Sequence, residues 1–164
     1  MMTRKLTVTS ILIALNVVLG MIVTIPLGFI RAAPVQHLIN VIGAVLTGPW
    51  VVLQAFVSST IRILLGTGTP FAYPGSMAGA LLAWLLYRRL KKLPAAVAGE
   101  VIGTGLIGAL MTYPLILVLG LDGSFFMVLA PAFIVSSLIG ALISWFILRQ
   151  LEKRNVLSRM MDER

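Results

Sequence analysis

Leu46-Thr47-Gly48-Pro49-Trp50 stands at the centre of an apolar run that extends from Val35 to Leu65, and how this run divides determines the helix count of the chain. At a rise of about 1.5 Å per residue the run is too long for one crossing of a hydrocarbon layer that requires about 20 residues. Gly48 permits a tight turn, and Pro49 suits the first turn of a new helix, where its missing N–H leaves no bond unmade. The run therefore reads as two short helices, 35–48 and 50–65.

Outward from this pair, Gly, Pro and charged residues divide the remaining apolar sequence into spans of approximately 6–25, 74–87, 94–119 and 125–148. Pro26 and Gly28 close the first of these, Pro94 suits a first-turn position, and Pro114 and Pro131 are expected to kink their helices. Of the 164 residues, 59% are hydrophobic and 11% charged, where soluble domains carry roughly 25% charged residues. The expected architecture is an all-α integral membrane protein, one domain over residues 1–164 with six transmembrane helices. Arg4 and Lys5 before an apolar run resemble the start of a secretory signal. The run, however, exceeds the roughly 7 to 15 residues of a signal h-region and leads into Pro26, Gly28 and Phe29, so the helix is expected to be retained.

Charge placement tests the helix count independently, because Lys and Arg in short loops remain on the cytoplasmic side. Six spans place Arg4, Lys5, Arg88, Arg89, Lys91, Lys92, Arg149, Lys153, Arg154, Arg159 and Arg164 on one side and only Arg31 and Arg62 on the other. Both termini are therefore expected in the cytoplasm of a bacterial or archaeal cell, and the net charge of +8 follows from topology. The bases lie in separate loops and form no continuous groove, so no nucleic-acid partner is expected.

Missing groups narrow the function. The sequence has no cysteine and one histidine, which removes thiolate and His-rich metal sites, and no cofactor is expected. No G-x-x-x-x-G-K-[ST] loop is present, so ATP hydrolysis would fall to a partner. Pro74-Gly75-Ser76-Met77-Ala78-Gly79 is not a G-x-S-x-G elbow. Among the acidic residues only Glu100 lies inside a span, so carboxylate-pair catalysis lacks its second group and the chain is not expected to be an enzyme.

Polar residues inside spans are costly and normally face a cavity or another helix. Gln36, His37 and Asn40 share an arc of about 100° at the outer end of the second helix. Ser58, Ser59 and Arg62 repeat this spacing at the outer end of the third. The loop Gly66-Thr67-Gly68-Thr69-Pro70-Phe71-Ala72-Tyr73-Pro74-Gly75 follows on the same side, with Phe71 and Tyr73 offering ring faces. A small, mostly apolar pocket with few hydrogen-bonding groups would result, its candidate binding residues being Gln36, His37, Asn40, Arg62, Phe71 and Tyr73. Each has a plainer reading: His37 and Asn40 as bridges between helices, Arg62 snorkelling to headgroups, Phe71 and Tyr73 as interfacial anchors. Glu100 and Thr104 share a face nearer the cytoplasmic side, where a structural or coupling role is expected. Tyr113 reads as an aromatic-belt residue.

Small residues spaced four apart mark helix contacts: Ser10 and Ala14, then Gly75, Gly79 and Ala83, then Gly99 and Gly103, and Ser136, Gly140 and Ser144. Most read as internal packing. Ser10 and Ala14, near the cytoplasmic end of the first helix, are the candidate face for a partner protein.

The segments Ala33-Pro34-Val35-Gln36-His37-Leu38-Ile39-Asn40-Val41-Ile42, Leu46-Thr47-Gly48-Pro49-Trp50, Ile61-Arg62-Ile63-Leu64-Leu65-Gly66-Thr67-Gly68, Tyr73-Pro74-Gly75-Ser76-Met77 and Gly99-Glu100-Val101-Ile102-Gly103-Thr104-Gly105 resemble the ThiW family over nearly the whole chain. That resemblance implies a substrate-binding S component of an energy-coupling factor (ECF) transporter assigned to hydroxyethylthiazole, the thiazole precursor of thiamine. It also implies a six-helix fold, a pocket near the outer face, and partnership with a transmembrane coupling subunit and two ATP-binding cassette ATPases. The first helix would dock on the coupling subunit, with Ser10-x-x-x-Ala14 standing where the family usually has Ala-x-x-x-Ala. Hydroxyethylthiazole needs a ring-stacking surface and one or two hydrogen bonds, which Phe71 or Tyr73 and Gln36, His37 and Asn40 could supply. Arg62 would better suit an anionic ligand such as a phosphorylated thiazole, unless it serves structure. Another small vitamin-like ligand and a stand-alone channel or facilitator are the alternatives.

Overall fold

The computed structural model describes residues 2–27 and 30–158. Gly28, Phe29, Arg159, Asp162, Glu163 and Arg164 lie outside the described residues, as does the side chain of Arg31. Helix α1 spans Met2–Ile22, a hairpin of β1 (Ile25–Leu27) and β2 (Ile30–Ala32) follows, and then come α2 (Pro34–Leu46), α3 (Trp50–Leu64) and α4 (Ala72–Leu90). Helix α5 (Leu93–Ile102) runs through a π-helical segment (Gly103–Gly108) into α6 (Ala109–Val118). A 3-10 turn (Gly123–Phe125) then leads to α7 (Phe126–Lys153). The segments Met2–Ile22, Leu93–Val118 and Gly123–Lys153 are long and apolar enough to cross a membrane, and α2 and α3 are shorter apolar helices.

Local chemistry accounts for the boundaries. Gly48 adopts φ +68° in the turn between α2 and α3, a left-handed conformation that other residues enter at a cost. Pro34 opens α2 and Pro94 lies in the first turn of α5, where neither needs an N–H. The fold is all-helical as expected, apart from a short pair of strands that the sequence reading did not anticipate, in which Ile25 pairs with Ala32 and Leu27 with Ile30. Pro26 ends helical continuation and suits an edge strand, and strands of three residues are too short to produce a readable alternation.

Glycines bring α4 and the α5–α6 rod into close contact. On α4, Gly75, Gly79 and Ala83 face Gly99, Gly103 and Gly108 of the α5–α6 rod. A Cβ on Gly99 would lie 2.5 Å from the Leu82 carbonyl oxygen, and one on Gly103 2.5 Å from that of Ala78. Small residues allow this backbone-to-backbone approach, as their spacing implies. The irregularity of the rod lies at Gly103–Gly108, while the helix assignments continue through Pro114 and Pro131. Thr104 reaches out of the π segment, its Oγ1 3.0 Å from both the Gly75 carbonyl oxygen and Glu100 Oε1. A π turn re-aims a side chain in this way within an otherwise regular rod.

The surface is apolar and much of the interior polar, the reverse of a water-soluble domain. Leu106, Leu110, Leu117, Val118, Leu142 and Phe146 are exposed, whereas Asn16, Asn40, Gln54, Ser58, Glu100, Thr104 and Thr112 are buried. Hydrocarbon solvates the first set and drives the second to find partners inside. Asn16 of α1 donates to Ser58 Oγ of α3 at 2.9 Å, and Gly140 of α7 packs so closely on Pro34 and His37 of α2 that a Cβ would collide with the Pro34 carbonyl. Ser10 and Ala14 are exposed, although Leu12, Asn16, Val17 and Gly20 on the same helix are buried.

Candidate ligand-binding site

A cavity of about 400 Å³ lies between the end of α1, the start of α2, the end of α3, the 66–71 loop and α7. This is within the usual size of small-molecule sites. Its lining combines the rings of Phe71, Phe125 and Phe133 with the polar groups of Gln36, His37, Arg62, Thr67, Thr69, Thr104 and Ser136. Phe71 and Phe125 lie with centroids 5.8 Å apart and rings tilted by 47°, forming an aromatic corner.

At one pole, His37 Nδ1 is 2.8 Å from Glu100 Oε1. The same oxygen accepts from Asn40 Nδ2 at 3.1 Å and from Thr104 Oγ1 at 3.0 Å. This contact sets the ring plane, and a neutral ring that donates from Nδ1 to the carboxylate would present Nε2 as an acceptor. Nε2 has no partner among the described residues, and His37 lines the cavity. Glu100 is fully buried behind it and does not line the cavity. It acts as a hub that joins α2 to the α5 rod.

At the other pole stands Arg62, 5% exposed. Its Nη1 donates to Gln36 Oε1 at 2.8 Å, linking the polar arcs of α2 and α3. Its Nη2 lies 3.4 Å from the Thr67 carbonyl oxygen, and the loop turns back on the helix end through bonds from the Thr67 and Gly68 amides to the Arg62 carbonyl. Such depth is unlike a snorkelling side chain, whose head group reaches water.

Of the residues singled out in the sequence, Gln36, His37, Arg62 and Phe71 meet around the cavity, and Asn40 and Tyr73 do not line it. Asn40 is turned into the protein, donating to the Ser76 carbonyl and to Glu100. Tyr73 points to α3, its hydroxyl 2.9 Å from Thr60 Oγ1 and its ring against Phe56. Ser136, Phe125, Phe133, Thr67 and Thr69 complete the lining without having been assigned to it. The two threonines stand in the loop already read as a roof, and Ser136 was visible only as part of a small-residue stripe. Nothing in the local sequence distinguishes Phe125 or Phe133 from a lipid-facing aromatic residue.

Residues 6–154 match the family model described as thiamine-precursor transporter protein (ThiW). The chain belongs to the ThiW family. It is accordingly a multi-pass membrane protein of a transporter family. The biotin transporter BioY of Rhodobacter capsulatus is 31% identical over 129 residues, an alignment covering 70% of this chain and 67% of that protein. In this ThiW-family chain the matched region contains every residue of the His37 and Arg62 poles.

Proposed function

We propose that this chain is the substrate-binding S component of an ECF-type importer and captures hydroxyethylthiazole at the outer face of the membrane. The observation that carries the reading is His37, held by Glu100 through Nδ1, with Nε2 unpartnered among the described residues, in the wall of a cavity with an aromatic corner in a chain of the thiamine-precursor transporter family. The ligand's hydroxyl donates to Nε2 while its ring lies against Phe71 and Phe125. In this reading the ligand is returned unchanged. The transmembrane coupling subunit and two ATP-binding cassette ATPases supply the energy, and the exposed Ser10 and Ala14 face of α1 is where the coupling subunit docks.

Mass spectrometry of small molecules released from purified protein should return the thiazole, and a different vitamin-like compound would replace it as the ligand. Uptake that persists without the ATPases would make the protein a facilitator. In calorimetric titrations, His37→Ala should weaken hydroxyethylthiazole binding by about two- to thirteen-fold, as expected for one net hydrogen bond of about 0.5 to 1.5 kcal/mol. Asn40→Ala should chiefly lower the melting temperature, because Asn40 serves the Glu100 hub and not the cavity. Unchanged affinity in the His37 variant would remove that pole from the site.

In the same reading the chain crosses the membrane six times, as one domain, with both termini in the cytoplasm. Eleven of its Lys and Arg residues then lie on the inner side. Arg88 stacks over Trp84 at 5.6 Å and Arg149 over Trp145 at 4.9 Å, pairs suited to headgroup depth at that side. Because no cysteine is present, single Leu90→Cys and Pro70→Cys variants report the topology cleanly. An impermeant thiol reagent should label Pro70→Cys in intact cells and leave Leu90→Cys unlabelled; the reverse pattern would invert the chain.

A further inference from the structure

We propose that the Arg62 pole receives an anionic oxygen group, a carboxylate or a phosphate monoester, so that an acidic derivative of the thiazole binds in this cavity more tightly than the alcohol itself. The inference rests on the reading of this cavity as the ligand site and names the charge class of what occupies it. Arg62 is 5% exposed, lines the cavity and forms no ion pair among the described residues. Glu100, the buried carboxylate, is held instead by His37, Asn40 and Thr104.

A guanidinium presents five N–H donors in a fixed fork. Here the described bonds take one donor to Gln36 Oε1 at 2.8 Å and one, at 3.4 Å, to the Thr67 carbonyl. Both acceptors are neutral, and Nε is buried with no partner among the described residues. A buried cation with neutral partners is unfavourable until a counter-charge reaches it, and truncated networks of this kind leave most of the desolvation cost in place. Nor is the position a by-product of crowding. Helix α1 has Gly20 opposite the guanidinium, where a Cβ would lie 3.2 Å from Nε and 3.3 Å from Cζ, so a larger residue would press on the head group. Thr69 adds a hydroxyl to the same lining. The cavity thus offers the imidazole of His37, a fork of donors at Arg62 and phenylalanine rings in one lining. Arg is the side chain best matched to planar carboxylate or to phosphate oxygens.

The test compares hydroxyethylthiazole, its phosphate monoester and the corresponding thiazole acetic acid in calorimetric titrations. Detergent-purified wild type, Arg62→Lys and Arg62→Gln are titrated, with melting temperature recorded as inorganic phosphate or acetate is raised stepwise to saturation. At least one anionic ligand should bind wild type about tenfold or more tightly than the alcohol. Arg62→Gln should lose that preference and Arg62→Lys retain part of it, and the better of the two anions identifies phosphate or carboxylate as the group recognised. Equal or tighter binding of the alcohol by wild type overturns the proposal, as does an anion preference that survives in Arg62→Gln. Should Arg62→Gln fail to fold, the wild-type comparison and Arg62→Lys still decide. If no thiazole binds, the thiazole reading falls by itself. In that case stabilisation by phosphate or acetate that weakens in Arg62→Lys upholds the anion pole, and its absence overturns the pole as well.

Discussion

Glu100→Leu should weaken ligand binding as much as loss of the His37 hydrogen bond does, about two- to thirteen-fold, and destabilise the protein by several kcal/mol, since a buried donor left without its acceptor costs about 1 to 3 kcal/mol. Three donors from two other positions on the chain and one on its own helix converge on Glu100 Oε1: His37 Nδ1, Asn40 Nδ2 and Thr104 Oγ1. Leucine leaves all of them buried without that acceptor. His37 then loses the bond that sets its tautomer and ring plane, and Nε2 is no longer held as an acceptor towards the cavity. Glu100→Gln separates the two consequences, since its carbonyl oxygen can still accept while the charge is gone. That variant should keep most of the stability and lose about tenfold in affinity, one strengthened hydrogen bond's worth. Thermal unfolding and calorimetry on both variants check this. Wild-type affinity in Glu100→Leu would show that the hub plays no part in orienting His37.

Ala14→Trp should reduce ATP-driven uptake to background in cells that supply the coupling subunit and ATPases, while the isolated variant binds ligand within about twofold of wild type. Small residues permit close helix approach, and an indole on that face holds the partner away. Ser10 and Ala14 are exposed, and the opposite face of α1 is engaged within the chain, through Asn16 on Ser58 and Gly20 against Arg62. The two faces of one helix are thereby divided between a surface free for a partner and a surface that supports the cavity. Uptake assays read the first and titration reads the second. A parallel loss of ligand binding would mean that the Ala14 face supports the cavity as well.

The two short helices on either side of Gly48-Pro49, the glycine faces of α4 and α5, and the polar arcs of α2 and α3 were all legible in the sequence, because each is a local pattern. Hydropathy needs only a run of residues, a helix face needs only the 3.6-residue repeat, and a turn needs only Gly and Pro in order. Gln36, His37 and Arg62, conspicuous in the sequence as polar groups in apolar spans, line the cavity, and so does Phe71, singled out as a ring in the loop. The hairpin at residues 25–32 and the π segment at 103–108 were not, the first being too short for a period and the second being a deviation from one.

By itself the sequence determined the solvent of this protein, its helices and the side chains that cannot face lipid. Which of those side chains meet was decided by tertiary structure alone. Asn40 and His37 sit on the same arc of α2, yet packing against α4 and α5 turns Asn40 to Ser76 and Glu100 and leaves His37 at the cavity wall. Glu100 reads from its helix position as a residue near the cytoplasmic side, and becomes the support of His37 because glycines let α4 and α5 close together beneath α2. The energy that separates these fates is a matter of which donor reaches which acceptor within about 3 Å, and distances across helices far apart in the chain are not encoded in any local repeat.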